Sequence, residues 1–258
     1  MTIGAVIAPK QVPGLSFTVD YSKTRINGAI VSTPRQFILD QCFRLGRQDF
    51  CQFVTRRANA EGANSPGSLQ FINSGSTNSG GVFNSNIDVT ANYVRDITAD
   101  FRVNLGLAYT HVLNGYLIPT PGGDIDYYAG EVGAAKDRFL LTIGARYKGV
   151  TFQYRGNYIG RSYLDDQFVA QFTEDDGETP VSRRDPRVAV GARYYSDLQA
   201  QFEVGEHYQF YVGVNNLTGT KAPIIPSNLP FNVTGAETDS GTYDAIGRRY
   251  YAGVRLKF

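Results

Sequence analysis

Nine stretches of this chain alternate bulky apolar residues with polar ones, and some keep the alternation going far beyond the length of an ordinary strand. In RVAVGARYYSDLQAQFEV (187–204), Val188, Val190, Ala192, Tyr194, Leu198, Ala200, Phe202 and Val204 oppose Arg193, Asp197, Gln199, Gln201 and Glu203. Successive side chains of a strand point to opposite faces, so a period of two over such a run specifies one long strand with a greasy face and a wet face. Strands in soluble sheets are usually about five or six residues long. Helical packing needs a period near 3.6 and is excluded over these stretches.

The same test selects TIGAVIA (2–8), LSFTVDYS (15–22), NIDVTANYV (86–94), DFRVNLGLAYTHVL (100–113), RFLLTIGARYK (138–148), VTFQYRGNYIG (150–160), YQFYVGVNNL (208–217) and RRYYAGVRLKF (248–258). TIGAVIA is the weakest of them. Composition agrees: 28 glycines, 17 tyrosines and 16 phenylalanines with no tryptophan favour strands and turns. Lys plus Arg number 25 against 24 Asp plus Glu, which leaves no electrostatic case for nucleic acid. No apolar run reaches the roughly 18 residues of a membrane helix. The first residues, MTIGAVIAPKQVPG, lack the basic region, apolar stretch and cleavage site of a signal peptide.

Alternation by itself leaves two folds open, a soluble barrel or sandwich with the apolar face inward and a membrane barrel with that face outward. The connections favour the second. PKQVPG, VRDITAD, KG and GEH are tight, whereas residues 31–68, 114–137, 164–187 and 218–247 form long, polar, Gly-rich loops. Short turns at one rim and long loops at the other describe an antiparallel transmembrane β-barrel with periplasmic turns and extracellular loops. A complete bacterial barrel has an even number of strands, so an odd count of nine places the chain as part of a larger barrel.

GVNNLTGTKAP (213–223) followed by YDAIGRRYYAGVRLKF (243–258) resembles the two closing strands of TonB-dependent outer-membrane receptors, with Thr218 and Gly219 standing where that family has Phe and Asp. PGLSFTVDYSKTRINGAI (13–30) and LQFINSGSTNSGGVFNSNIDVTANY (69–93) resemble a mid-barrel passage of the same family. The resemblance implies that residues 1–258 are the C-terminal portion of a 22-stranded type barrel, with the family's plug domain and signal peptide absent from this sequence. It further implies uptake of a scarce ligand (siderophore, corrinoid, saccharide or peptide), energised by TonB acting through the missing N-terminal part. Outer-membrane lipid and the barrel-assembly machinery are the remaining partners; no cofactor is implied. In this class the machinery reads a terminal strand with alternating apolar residues and a final aromatic, here Tyr250, Val254, Leu256 and Phe258.

Cys42 and Cys51 lie in the first long loop, and on the extracellular reading they form a disulfide; free thiols in a cytosolic loop are the alternative. Tyr127, Tyr128, Tyr163 and Phe168 lie in or beside long loops where a ligand would first touch, and Arg161 points by parity to the lumen; all five are candidate ligand contacts against ordinary loop packing. Tyr109, Phe139, Tyr147, Tyr158, Tyr208 and Tyr250 read as lipid-interface anchors. Lumenal Arg146, Arg155 and Arg193 read as partners for carboxylates of a plug. TEDDGET (173–179) reads as a solvated loop in preference to a Ca²⁺ site, and neither His111 nor His207 has a catalytic partner pattern. With no G-x-S-x-G and no P-loop, the reading is a non-enzyme; a passive porin-like channel and a small outer-membrane barrel enzyme are the alternatives.

Overall fold

A computed structural model of the chain describes residues 1–119, 125–170, 172–225 and 237–256. Phe258 lies outside the described residues. The elements in chain order are β1 (Thr2–Ile7), β2 (Leu15–Ser32), α1 (Arg35–Leu39), a π-helical turn (Asp40–Arg44), α2 (Gln48–Cys51), β3 (Val54–Arg56), β4 (Leu69–Ile72), β5 (Ser76–Thr98), β6 (Phe101–Ile118), β7 (Asp137–Tyr147), β8 (Val150–Ile159), β9 (Ser162–Tyr163), α3 (Asp166–Val169), β10 (Ala189–Val190), β11 (Arg193–Val204), β12 (Tyr208–Asn215) and β13 (Arg249–Leu256). Nine of the strands make one sheet in the order β1-β2-β5-β6-β7-β8-β11-β12-β13, a meander of the stretches selected by alternation. Among the described residues β1 and β13 each have one neighbour in it.

By contact density the chain divides into two units, one of residues 1–23, 84–115 and 128–258, the other of residues 24–83 and 116–127. In the first unit the register aligns apolar residues in rows. Leu105, Ile143, Tyr154, Leu198, Val214 and Tyr250 pair in turn across six strands. Toward the short turns Phe101, Tyr147, Val150, Phe202, Phe210 and Val254 make a second row, and toward the long loops Tyr109, Phe139, Tyr158 and Tyr194 make a third. The phenylalanine and tyrosine rings of Phe139 and Tyr158 stack at 4.8 Å. Phe139 and Tyr147 stand eight residues apart on β7. At about 3.3 Å per residue and a tilt of roughly 40°, that separation spans about 20 Å, close to the apolar band of a membrane barrel.

This face is bare. Tyr250 is 76% exposed, and Leu105, Ile143, Phe152, Leu198, Phe202, Phe210, Val212 and Val254 are exposed with it. The buried apolar cluster of the first unit lies instead in the long loops and the strand ends that meet them. A water-soluble sheet would cover such a surface with a second layer, because contiguous exposed apolar patches of this extent are membrane or partner surfaces. The arrangement left open by alternation is thereby decided: the apolar face is the outside.

The polar face is closely fitted. Tyr251 lies over Gly213 and Tyr211 over Gly253, at positions where a Cβ would fall within 2.5 Å of the ring. The Tyr251 hydroxyl donates to Gln199 Oε1 at 2.9 Å. At the first short turn Gly14 has φ +88°, and a Cβ there would stand 2.0 Å from the Val94 carbonyl oxygen, so no other residue fits.

Several boundaries differ from the sequence reading. β11 begins at Arg193 and not at residue 187. Ala189 and Val190 pair with Tyr163 and Ser162 in a separate two-stranded piece, and Val188 and Val190 are buried in the loop cluster, away from the apolar face. Alternation continues through Gly191 in the sequence, but the chain leaves the sheet there. β2, β5 and β6 also run further toward the long loops than the apolar pattern suggests, because Lys23 and Arg25 in β2, Gly81 and Ser85 in β5 and Gly115 in β6 stand at the apolar parity and interrupt the alternation.

In the second unit Ile38, Gln41 and Cys42 are the buried residues of the short helical turns. A disulfide joins Cys42 and Cys51, with Cα atoms 4.9 Å apart. Phe50 packs edge-on against Phe37 at 5.7 Å and Phe53 at 6.5 Å. Phe83 stacks on Tyr116 at 5.0 Å, and the Arg25 guanidinium donates to the Tyr116 hydroxyl at 3.1 Å.

Candidate functional site

The long loops of the first unit pack into a small core of their own. β9 and β10 pair through Ala189 with Tyr163 and Val190 with Ser162, and the main chain of Glu131 bridges to Tyr163. Around them Val132, Leu164, Val169, Val181, Val188 and Tyr243 are buried. The Glu131 carboxylate, 2% exposed, accepts the Asp166 amide at 2.8 Å. Ser162 and Tyr243 share a hydroxyl hydrogen bond at 3.2 Å, and burial pushes the Tyr243 phenol above its usual pKa against the opposing pull of Arg193 and Arg138. Further out, Arg187 grips Asp185 with two N–H groups, each at 2.9 Å, and that carboxyl is lowered to about 2, first by this side-chain bond. In TEDDGET, Asp176 accepts the Glu178 and Thr179 amides at 2.9 Å in a turn of its own.

The two sequence blocks at the end of the chain meet. Asn216 is 1% exposed and has φ +52°, a left-handed conformation that asparagine tolerates better than most residues. Its carboxamide oxygen accepts the Thr220 amide at 2.8 Å; its nitrogen donates to the Thr220 carbonyl at 2.9 Å and to Asp244 Oδ2 at 3.1 Å. Its own amide donates to Asp197 Oδ1 at 2.9 Å. Asp244 Oδ1 in turn accepts the Ile246 and Gly247 amides at 3.1 Å and faces Arg249 at 3.4 Å. GVNNL and YDAIGRR are therefore one hydrogen-bonded joint that folds the last loop back on the ends of β11, β12 and β13.

Two cavities flank this joint. One, of about 550 Å³, is lined by Lys221, Glu237, Thr238, Ile246 and Arg248 among others. The other, of about 380 Å³, lies on the polar face and is lined by Arg155 and Asn157 of β8, Tyr195 and Asp197 of β11, Arg249 of β13, and loop residues Ser240, Thr242, Tyr243, Asp244, Ala245 and Ile246. Period-two alternation carries Arg155, Asp197 and Arg249 to this face, and register then places Arg155 opposite Asp197.

The candidate residues from the sequence are distributed as follows. Tyr163 is 7% exposed; its hydroxyl donates to the Ala129 carbonyl at 3.2 Å, the Arg183 guanidinium lies over its ring at 4.6 Å, and burial raises its pKa. Phe168 packs against the same core and edge-on to Phe172 at 5.0 Å. Tyr128 lies over Gly115, and Arg161 is exposed. Tyr127 belongs to the second unit, where it is 43% exposed with its ring edge-on to Tyr116 at 5.6 Å. Tyr163 and Phe168 thus share one packed cluster. Of the polar-face arginines, Arg146 reaches Glu203 at 3.6 Å and Arg193 donates to the carbonyls of Lys221, Gly191 and Ala192. His111 is partnered after all, at 2.7 Å from Asp137 with Tyr109 donating to the same carboxylate at 2.6 Å, on the apolar side of the sheet. Missed altogether were Asn216, Asp244, Tyr195 and Thr242; the first two sit within the quoted closing motif, and no local pattern marks the others.

No protein-family model and no curated protein matches the chain. Solved structures do. The FrpB iron transporter of Neisseria meningitidis aligns over 100% of this chain at 14% identity and a TM-score of 0.55. A variant of the ferric enterobactin receptor PfeA of Pseudomonas aeruginosa, in complex with enterobactin, aligns over the full chain at 12% identity and a TM-score of 0.54. The siderophore receptor PirA of Acinetobacter baumannii does so at 12% identity and 0.53. At these identities the likeness is one of fold: the nine strands are laid out as in part of these larger structures. The chain spans 30 to 31% of the length of those structures.

Proposed function

We propose that this chain is the C-terminal part of the barrel wall of a TonB-dependent receptor, placed in the outer membrane of a Gram-negative bacterium, that takes up a scarce ligand. The observation carrying this reading is the full-length alignment with an iron transporter and two siderophore-type receptors, each matched over about a third of its own length. The bare apolar face, with aromatic rows near both ends, supplies the lipid contact such a wall needs. The joined GVNNL and YDAIGRR blocks supply the closing motif. One neighbour named for iron and two named for siderophore-type ligands favour an iron-bearing ligand within the broader class of siderophores, corrinoids, saccharides and peptides. Tyr127, Tyr128, Arg161, Tyr163 and Phe168 are proposed to act on the ligand side, Tyr163 and Phe168 by fixing the shape of the loop core and the exposed Tyr127 and Arg161 by contact.

The test is uptake in cells. Disrupting the gene that carries this chain abolishes accumulation of one radiolabelled iron chelate, and a protonophore abolishes it in the undisrupted strain. Accumulation that persists without the gene overturns the reading; accumulation that needs the gene but ignores the protonophore replaces it with a passive channel.

A further inference from the structure

We infer that the 380 Å³ polar-face cavity is an oxyanion-binding site, with Arg155 and the Tyr195 hydroxyl as its free donors. The inference follows from what the lining residues have left to offer. Asp244 spends both carboxylate oxygens on Asn216, Arg249 and two backbone amides, and Asp197 spends one on the Asn216 amide. Arg155 stands opposite Asp197 in the register yet makes no ion pair or hydrogen bond with any described residue. Tyr195 is only 7% exposed, and its buried hydroxyl finds no acceptor for its proton; the Asp244 backbone N–H beside it can only donate. A buried hydroxyl whose proton has no acceptor is costly, and a ligand that accepts it recovers that loss.

The unspent capacity of the cavity is therefore mainly donor: up to five guanidinium N–H groups, one phenol O–H and the Thr242 hydroxyl. A planar oxyanion, a carboxylate above all, accepts from a guanidinium in a bidentate pair and leaves a lone pair for the phenol. Arg138 and Arg193 lie near enough to Tyr243 to act on it electrostatically, with Asp239 opposing them. The volume falls in the range of small-molecule sites, about 300–1,000 Å³. The inference deepens the receptor reading by naming the chemistry its ligand presents, but its test uses equilibrium binding, so the two can fail separately.

The experiment is calorimetric titration of the full-length protein that carries this chain, purified from outer-membrane fractions in zwitterionic detergent, with citrate and with N-acetylglutamate amide as a stand-in for a protein carboxylate. Far-UV spectra establish that each variant keeps the strand content of the parent. Saturable binding is expected, weakened about tenfold or more by Arg155→Gln, the scale of a lost charge-assisted hydrogen bond, and severalfold by Tyr195→Phe, which keeps the ring. Arg155→Lys restores part of the loss. Arg102→Gln removes the same charge from a guanidinium that is paired with Asp96 beside a short turn, and it leaves binding unchanged. Stronger binding of citrate assigns the site to a free ligand, and stronger binding of the glutamate amide assigns it to a carboxylate side chain from another polypeptide segment. Absence of saturable binding for both probes overturns the inference, as does an equal loss in Arg102→Gln or full affinity in both Arg155→Gln and Tyr195→Phe.

Discussion

Replacing Asn216 separates what its backbone does from what its carboxamide does. Asn216→Gly keeps the left-handed conformation without strain and removes three side-chain hydrogen bonds, two to Thr220 and one to Asp244. Net values of about 1 kcal/mol for each neutral bond and about 1.5–3 kcal/mol for the bond to a carboxylate give roughly 3.5–5 kcal/mol. Asn216→Ala loses the same bonds and adds about 1 kcal/mol for a Cβ in left-handed backbone. At about 1.4 kcal/mol per factor of ten, the glycine variant opens the joint more than a hundredfold more often. The assay is hydrogen exchange of the Leu217 and Gly219 amides, which donate to Ser196 and Asn216 carbonyls, in protein folded into lipid vesicles. Urea midpoints followed by circular dichroism report whether the sheet itself weakens. Protection in Asn216→Gly within about tenfold of the parent would refute the reasoning, since the carboxamide would then contribute no more than one ordinary hydrogen bond.

Peptide mapping without reduction should recover Cys42 and Cys51 in one linked fragment, and reducing the bridge should expose residues 33–68 to protease; two freely alkylatable thiols in protein from membranes would refute the assignment. Asp185, with a carboxyl lowered to about 2 by Arg187, contributes stability that is present above its unfolded pKa of about 4 and is lost as pH falls through about 2. Exchange of the Val188 and Ala189 amides, which donate to the Asp185 carbonyl, should therefore accelerate across that window beyond its intrinsic pH dependence, and not in Asp185→Asn. Deleting Phe258, or replacing Leu256 with Asn, should lower the heat-modifiable folded protein in outer-membrane fractions by more than the roughly 1.5–3 kcal/mol of one buried side chain implies for a sheet of this size. Replacing Lys257 with Gln should leave the yield unchanged; equal yields for all would mean the terminal strand carries no assembly signal.

The sheet was legible because its two faces meet different surroundings and every strand repeats that contrast at a period of two. Phe139, Leu141, Ile143 and Ala145 against Leu140, Thr142, Gly144 and Arg146 suffice to draw β7, and the tight turns at residues 148–149 and 205–207 order its neighbours. Alternation is blind to direction, however. Only the tertiary structure shows the apolar rows uncovered and the buried apolar side chains gathered in the loops, which puts the greasy face outside. It also ends β11 at Arg193, because Val188 and Val190 gain more burial against Tyr163 and Leu164 than the sheet would give them, a preference set by packing and invisible in their spacing. The candidate site follows the same division. Parity alone carries Arg155, Asp197 and Arg249 to the polar face, but Tyr195 beside Tyr243, and Asn216 against Asp244, are brought together across tens of residues by register and loop closure. Contacts of that range leave no periodic trace in a single sequence, since each depends on where two separate segments come to rest.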